Sequence, residues 1–95
     1  MNTPLPVAII TGVGPGTGTA VTRRFAAGGY AVAMLARNQA RLSALEQSIP
    51  HARGYVCDVT DTAALDHTLA TVNTDLGTPS VVLHAVWNLS ADWHE

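Results

Sequence analysis

The sequence contains no lysine: its basic residues are 5 arginines against 7 acidic residues, which gives a formal net charge of −2. Charged residues make up only 13% of the chain. A protein with so little positive charge lacks a broad basic surface for nucleic acid or for an anionic membrane. We therefore expect neither as a partner, and we expect any bound phosphate to be held by backbone groups and one or two arginines.

Cysteine and long apolar runs are equally scarce. Cys57 is the single cysteine of the chain, which excludes an intrachain disulfide and favours a reducing compartment. No apolar run approaches the roughly 20 residues of a membrane-spanning helix, and the N-terminus lacks the basic start of a signal peptide. The 4 histidines lack the close spacing of metal ligands, so no metal site is predicted. These features predict a cytoplasmic protein.

Hydrophobic residues, in contrast, form 47% of the 95 residues, enough for the core of one small domain over residues 1–95. Short β-branched runs alternate with helical patterns, which is typical of an α/β fold. Strands are predicted over residues 7–11, 31–36, 53–57 and 81–85. The first helix is predicted from 17 to 27, the second after a cap at Asn38, and the third after a cap at Thr60 or Asp61. A fourth helix is predicted to open at about residue 90. Right-handed crossovers then give a truncated Rossmann-like parallel sheet of order 3-2-1-4 with flanking helices.

A glycine-rich loop, TGVGPGTG at residues 11–18, joins the first predicted strand to the first helix. Gly12 allows a tight turn, Gly16 removes a Cβ that would block a pyrophosphate, and Gly18 lets the helix pack closely on the sheet. Pro15 has no N–H, so the donors to an anion come from its neighbours at the helix start. The loop predicts nucleotide binding, with a purely structural turn as the alternative.

Three segments resemble short-chain dehydrogenases/reductases. The pattern TGxxxGxG at residues 11–18 resembles the fingerprint of that family, LARN at 35–38 resembles its NADP-preferring form, and CDVTD at 57–61 resembles the segment that lies along the adenine. The resemblance runs over about residues 7–86 and implies hydride transfer between nicotinamide and a carbonyl or alcohol substrate. The cofactor-binding residues that we predict are Gly12, Gly14, Pro15, Gly16, Thr17, Gly18, Arg37, Asn38, Asp58, Val59 and Ala85.

The charge after the second strand favours NADP over NAD. An acidic residue there would accept from the ribose 2′-OH and repel a 2′-phosphate, but this chain has Ala36 followed by Arg37, whose guanidinium suits phosphate oxygens. The alternative for Arg37 is a solvated residue at a helix start. Asp58 either bonds the adenine amino group or, with Asp61, precedes and caps the third helix, and both roles are compatible.

The chain departs from the family pattern in two places. After the fourth strand the family has Asn-Asn-Ala-Gly or Asn-Ala-Gly, whereas this chain reads HAVWN at 84–88, where only Ala85 matches. Because the chain has no lysine, it lacks the family's Tyr-x-x-x-Lys pair, and no catalytic residue is predicted. Tyr30 and Tyr55 are interpreted as packing residues. We expect a cofactor-binding part that is inactive alone, with a small-molecule substrate bound only by an intact parent. The alternatives are a catalytically silent nucleotide-binding or assembly module and a scaffold without ligand.

The fourth strand would form an apolar edge of such a sheet. Its backbone N–H and C=O groups, beside Val81, Val82, Leu83 and Val86, are suited to pairing with another strand. This predicts self-association through that edge, or pairing with a further part of the chain.

Overall fold

A computed structural model describes residues 5–11 and 17–84, with the backbone alone at 17 and 84. The strands are β1 (Val7–Thr11), β2 (Ala31–Ala36), β3 (Ala52–Val56) and β4 (Pro79–His84). The helices are α1 (Thr17–Ala27), α2 (Gln39–Ser48) and α3 (Thr62–Asp75). All strand pairs are parallel and the sheet order is β3-β2-β1-β4, which confirms the predicted α/β fold.

The two central strands are buried on both faces. Every residue of β1 and β2 is buried, and alternate side chains point to opposite faces of the sheet. Ile10, Val32 and Met34 pack in the cluster that contains the apolar side chains of α1 and α2. Ile9 and Leu35 pack in the other cluster, on the face that α3 covers. Helices on both faces are the doubly wound arrangement that the alternating sequence pattern predicts.

Side chains cap the second and third helices. Asn38 Oδ1 accepts the Arg41 N–H at 2.9 Å at the start of α2, as predicted. Asp61 Oδ1 accepts the Ala64 N–H at 3.1 Å at the start of α3, so Asp61 rather than Thr60 is the cap. Gly77, with φ of 121°, follows α3 in a backbone conformation that glycine adopts without strain.

The outer strands differ from the prediction at their ends. β3 covers Ala52–Val56 instead of 53–57. The N–H of Cys57, the next residue, still donates to the Ala36 carbonyl at 2.8 Å. β4 starts at Pro79 instead of Val81. The helix predicted to open at about residue 90 lies outside the described residues. Over 5–11 and 17–84, no helix has both the length and the apolar character needed to cross a membrane.

Candidate dinucleotide-binding site

The carboxyl ends of the strands meet at one edge of the sheet. Thr11 is aligned with Leu35 of β2 on one side and with His84 of β4 on the other. Because β1 lies between β2 and β4, the order of the strands reverses there, and such a switch point is where open α/β sheets bind ligands. The predicted site residues lie in the segments that follow β1, β2 and β3, except for Ala85, which comes after β4 in the sequence.

The start of α1 is the described part of the predicted diphosphate subsite. The loop residues Gly12, Gly14, Pro15 and Gly16 lie outside the described residues, as does Ala85. α1 begins at Thr17 and has no acidic residue in its first turn. A helix N-terminus without carboxylates favours a bound anion through the direction of its N–H groups and through its dipole.

Gly18 and Thr22 explain how this end of α1 is built. Gly18 is buried in the first turn of α1. Thr22 is also fully buried, and its Oγ1 donates to the Gly18 carbonyl at 2.8 Å. The hydroxyl is therefore satisfied within the helix, and Thr22 is a packing residue.

Arg37 directly follows β2 and is exposed to solvent. Its side chain is 79% exposed, and Nη1 lies 3.9 Å from Oδ2 of Asp58. This exposed guanidinium, at the carboxyl end of the strand next to β1, is accessible to a phosphate group from solvent. Its planar set of N–H donors suits phosphate oxygens.

Asn38 has a defined structural role as the cap of α2. Its Oδ1 accepts the Arg41 N–H, so the side-chain amide group is the part that is able to donate to an anion. The first turn of α2, like that of α1, contains no acidic residue. Residues 37–38 and the first turn of α2 therefore contribute no carboxylate of their own that would repel a phosphate.

Asp58 follows β3 and organises the turn that leads into α3. Oδ1 accepts both the Thr60 hydroxyl at 2.6 Å and the Thr60 N–H at 3.0 Å. The Asp58 carbonyl accepts the Asp61 N–H at 2.9 Å. The Thr60 hydroxyl and N–H hold the pKa of Asp58 below its ordinary value; desolvation opposes them, and the Arg37 charge makes the smallest contribution, also a lowering one. Asp58 is thus a hydrogen-bonded carboxylate that precedes α3, as predicted, while the cap itself is Asp61 alone.

Val59 and Cys57 anchor the same segment in the core. Cys57 is buried, 5% exposed, and Val59 packs partly buried against the same cluster beneath α3. Cys57 therefore packs as a small buried hydrophobe. Anchoring on both sides of Asp58 fixes the position of its carboxylate relative to the end of β2.

Sequence reasoning identified Asp58 but not the role of Thr60. The sequence Asp58-Val59-Thr60 is a pattern in which an aspartate accepts from the backbone two residues ahead, so the signal was available. The ion pair between Arg37 and Asp58 had no such local signal, because it joins two loops that are distant in sequence.

Comparisons with known proteins agree with this arrangement. The family model described as short chain dehydrogenase matches residues 6–86. A curated fatty acyl-CoA reductase from Acinetobacter baylyi is 41% identical over 64 residues, covering 63% of this chain and 22% of that protein.

Solved structures give the same result. A protein from Aeromonas hydrophila, described as a short chain dehydrogenase/reductase family oxidoreductase, has a TM-score of 0.80 and 32% identity, over 84% of this chain and 39% of that one. A variant of actinorhodin polyketide ketoreductase with NADPH has a TM-score of 0.77 and 27% identity, over 84% and 32% of the two chains. A 3-ketoacyl-(acyl-carrier-protein) reductase from Brucella melitensis, complexed with NADH, has a TM-score of 0.76 and 28% identity, over 81% and 32%.

These matches cover most of this chain but a minor part of each relative. The chain spans 22% of the curated relative and 32–39% of the three solved chains. The sheet order, the helix start after β1 and the match to the family model over residues 6–86 together assign the family. The chain belongs to the short-chain dehydrogenase family.

Proposed function

We propose that this chain binds a nicotinamide dinucleotide, with NADP(H) preferred over NAD(H). It would form the cofactor-binding part of an oxidoreductase that transfers hydride between nicotinamide and a carbonyl or alcohol substrate. The proposal rests on Arg37, which is 79% exposed at the carboxyl end of β2, next to β1. The bound cofactor supplies the hydride chemistry; the residues of this chain bind and orient it.

The diphosphate would lie at the start of α1, near Gly12, Gly14, Pro15, Gly16, Thr17 and Gly18. The absence of acidic residues from the first turn of α1 supports this placement, since the helix N-terminus is positive. Relatives crystallised with NADPH and with NADH share the fold of the described residues.

The 2′-phosphate would bind to the Arg37 guanidinium and to the side-chain amide of Asn38. Ala36, at the end of β2, supplies no carboxylate that would accept the ribose hydroxyl of NAD. This difference in charge is the reason for the preference for NADP.

The adenine would lie along Asp58 and Val59, and Ala85 would lie near the nicotinamide ribose. Asp58 is able to accept from the adenine amino group through Oδ2, because Thr60 occupies Oδ1. Val59 is half-buried, so part of its side chain stays accessible to a ring.

The activity of the whole protein requires residues beyond these. The sequence has no lysine and hence no Tyr-x-x-x-Lys, so we propose that the 95 residues bind the cofactor and that catalysis needs groups outside them. Relatives named fatty acyl-CoA reductase and 3-ketoacyl-(acyl-carrier-protein) reductase support a carbonyl substrate.

The single cysteine, buried at position 57, supports a reducing, cytoplasmic location.

The missing lysine also favours a second candidate, a catalytically silent nucleotide-binding or assembly module. In either case we propose that the edge of β4 pairs with another strand. Val82 and Leu83 in this strand are 53% and 37% exposed, and exposed apolar residues on a free strand edge favour association. A Tyr-x-x-x-Lys in sequence contiguous with residue 95 would favour the enzyme over the silent module.

Calorimetric titration with NADPH and NADH tests the proposed cofactor. We expect tighter binding of NADPH, and Arg37→Ala should weaken NADPH about tenfold while changing NADH little, because a charge-assisted hydrogen bond is lost. Arg23→Ala is the matched control, since Arg23 lies beside residues 48–50 at the opposite end of α2. Equal binding of both dinucleotides, unchanged by Arg37→Ala, would contradict the NADP preference, and no binding of either would favour the scaffold.

A further inference from the structure

We propose that Asp58 opposes Arg37 at the 2′-phosphate, so that two opposite charges together set the preference for NADP(H) over NAD(H). Thr60 would act as the positioning residue for Asp58. This inference rests on the proposed function above and concerns the strength of the cofactor preference.

The two charges come from adjacent strands. Ala36 and Val56, the last residues of β2 and β3, are aligned in the sheet, and Arg37 and Asp58 follow them closely. Nη1 and Oδ2 are 3.9 Å apart, and the side chains are 79% and 43% exposed. A phosphate that binds the Arg37 guanidinium is therefore placed near the Asp58 carboxylate.

Thr60 prevents this carboxylate from turning away. Its hydroxyl and its N–H both donate to Oδ1 of Asp58, at 2.6 and 3.0 Å. Oδ2 is the oxygen that remains directed toward Arg37. The position of the negative charge is consequently fixed before any ligand arrives.

The two cofactors differ in how they respond to this fixed charge. The 2′-phosphate of NADPH is an anion and is repelled by Asp58, while it is attracted by Arg37. The 2′-hydroxyl of NADH is neutral and able to donate to a carboxylate. Asp58 should therefore weaken NADPH relative to NADH and partly offset the effect of Arg37.

The effect is measured by the dissociation constant of NADH divided by that of NADPH, a ratio that rises as the preference for NADPH becomes stronger. Asp58→Asn keeps an oxygen that accepts from Thr60 but removes the charge, so we expect the ratio to rise about two- to fivefold, as for an exposed charge pair. Any loss of an adenine contact alters both dissociation constants and cancels in the ratio.

Thr60 variants test the positioning role. Thr60→Val removes the hydroxyl bond and retains the N–H bond, so the ratio should rise less than in Asp58→Asn, and Thr60→Ser should restore the wild-type ratio. Circular dichroism of each variant verifies that the fold is kept, and Asp58→Asn carries the test if Thr60→Val does not fold.

The outcomes separate this inference from the proposed function. If Arg37→Ala lowers the ratio and Asp58→Asn leaves it unchanged or lower, Asp58 does not oppose Arg37 and this inference is overturned. If Arg37→Ala leaves the ratio unchanged, or if neither dinucleotide binds, the proposed 2′-phosphate site itself is overturned. A rise of similar size when Asp58→Asn is added to Arg37→Ala would support direct repulsion of the phosphate by Asp58, and its absence there would show that Asp58 acts only through Arg37 and overturn this inference.

Discussion

Gly54 of β3 lies directly against Leu42 of α2. A Cβ at Gly54 would be 2.7 Å from the Leu42 Cβ, a distance at which the backbone has to shift. The Gly54 N–H also donates to Oε2 of Glu46 at 2.6 Å, so the same helix protects this edge strand. Position 54 therefore fixes how closely α2 approaches the sheet, and with it the position of the segment that contains Arg37 and Asn38.

Replacement of Gly54 by alanine should destabilise the fold. We expect a loss of about 1–3 kcal/mol in the free energy of unfolding, because the added methyl group overpacks a close helix–strand contact. Chemical denaturation measures the loss. Gly28→Ala is the control, since a Cβ there meets its nearest atoms at an ordinary 3.5 Å and should change stability little. Equal stability of the two variants would contradict the close contact at Gly54.

Asn38 has two separable roles, which two variants distinguish. Asn38→Ala removes the cap of α2 and should cost about 1 kcal/mol of stability. Asn38→Asp keeps the cap but adds a carboxylate next to Arg37, so stability should hold while the affinity for NADPH falls. Denaturation and calorimetric titration measure the two effects, and unchanged NADPH affinity in Asn38→Asp would argue against a phosphate at this position.

Tyr55 links the edge strand β3 to the end of α3. Its hydroxyl donates to Oδ2 of Asp75 at 3.1 Å. Partial burial, and then this hydrogen bond and the Asp75 charge, raise the pKa of Tyr55 from 10.0 to about 12. A pKa that is raised by folding stabilises the protein below the unfolded value, and this contribution is lost as the pH rises from 10 toward 12.

Thermal melts at pH 9 to 11 test this alkaline effect. The wild type should lose stability over the upper part of that range, and Tyr55→Phe should lose less, because phenylalanine has no proton to release. Asp75→Asn should shift the ionisation of Tyr55 to lower pH. Parallel decreases in melting temperature for wild type and Tyr55→Phe would contradict this account.

Association through β4 is open to a direct test. The exposed Val82 and Leu83 predict concentration-dependent self-association of the 95-residue chain. Val82→Lys and Leu83→Lys should shift the chain toward monomer, because lysines protect free strand edges. Sedimentation velocity measures the distribution of species. A wild-type chain that stays monomeric and stable at high concentration would contradict the pairing.

The central elements were predictable from local sequence. The bounds of β1, α1 and β2 agree with the predicted ranges because β-branched and apolar runs lie between proline and glycine residues. β3 was less well predicted, since it is an edge strand of mixed burial and its glycine at position 54 obscures the strand pattern.

Contacts between elements were not predictable in the same way. The Arg37–Asp58 pair and the Glu46–Gly54 bond join residues from different elements, and no local periodicity encodes them. The bonds from Thr60 to Asp58 are local, so they explain the turn but not its orientation toward Arg37. The sequence thus predicts which residues belong to the site more readily than how their charges balance.

Amide chemical shifts of the labelled protein, recorded during titration with NADPH, test the central claim most directly. We predict that the largest changes occur at Gly18, Arg37, Val59 and Thr60, which lie around the carboxyl ends of β1, β2 and β3. A groove between α1 and α2, with a volume of about 290 Å³, is the control region in which we expect small changes. It is lined by Arg23, Ala26, Ala27, Ser48, Ile49 and Pro50. Changes confined to that groove, or no changes at saturating NADPH, would contradict dinucleotide binding at the sheet edge.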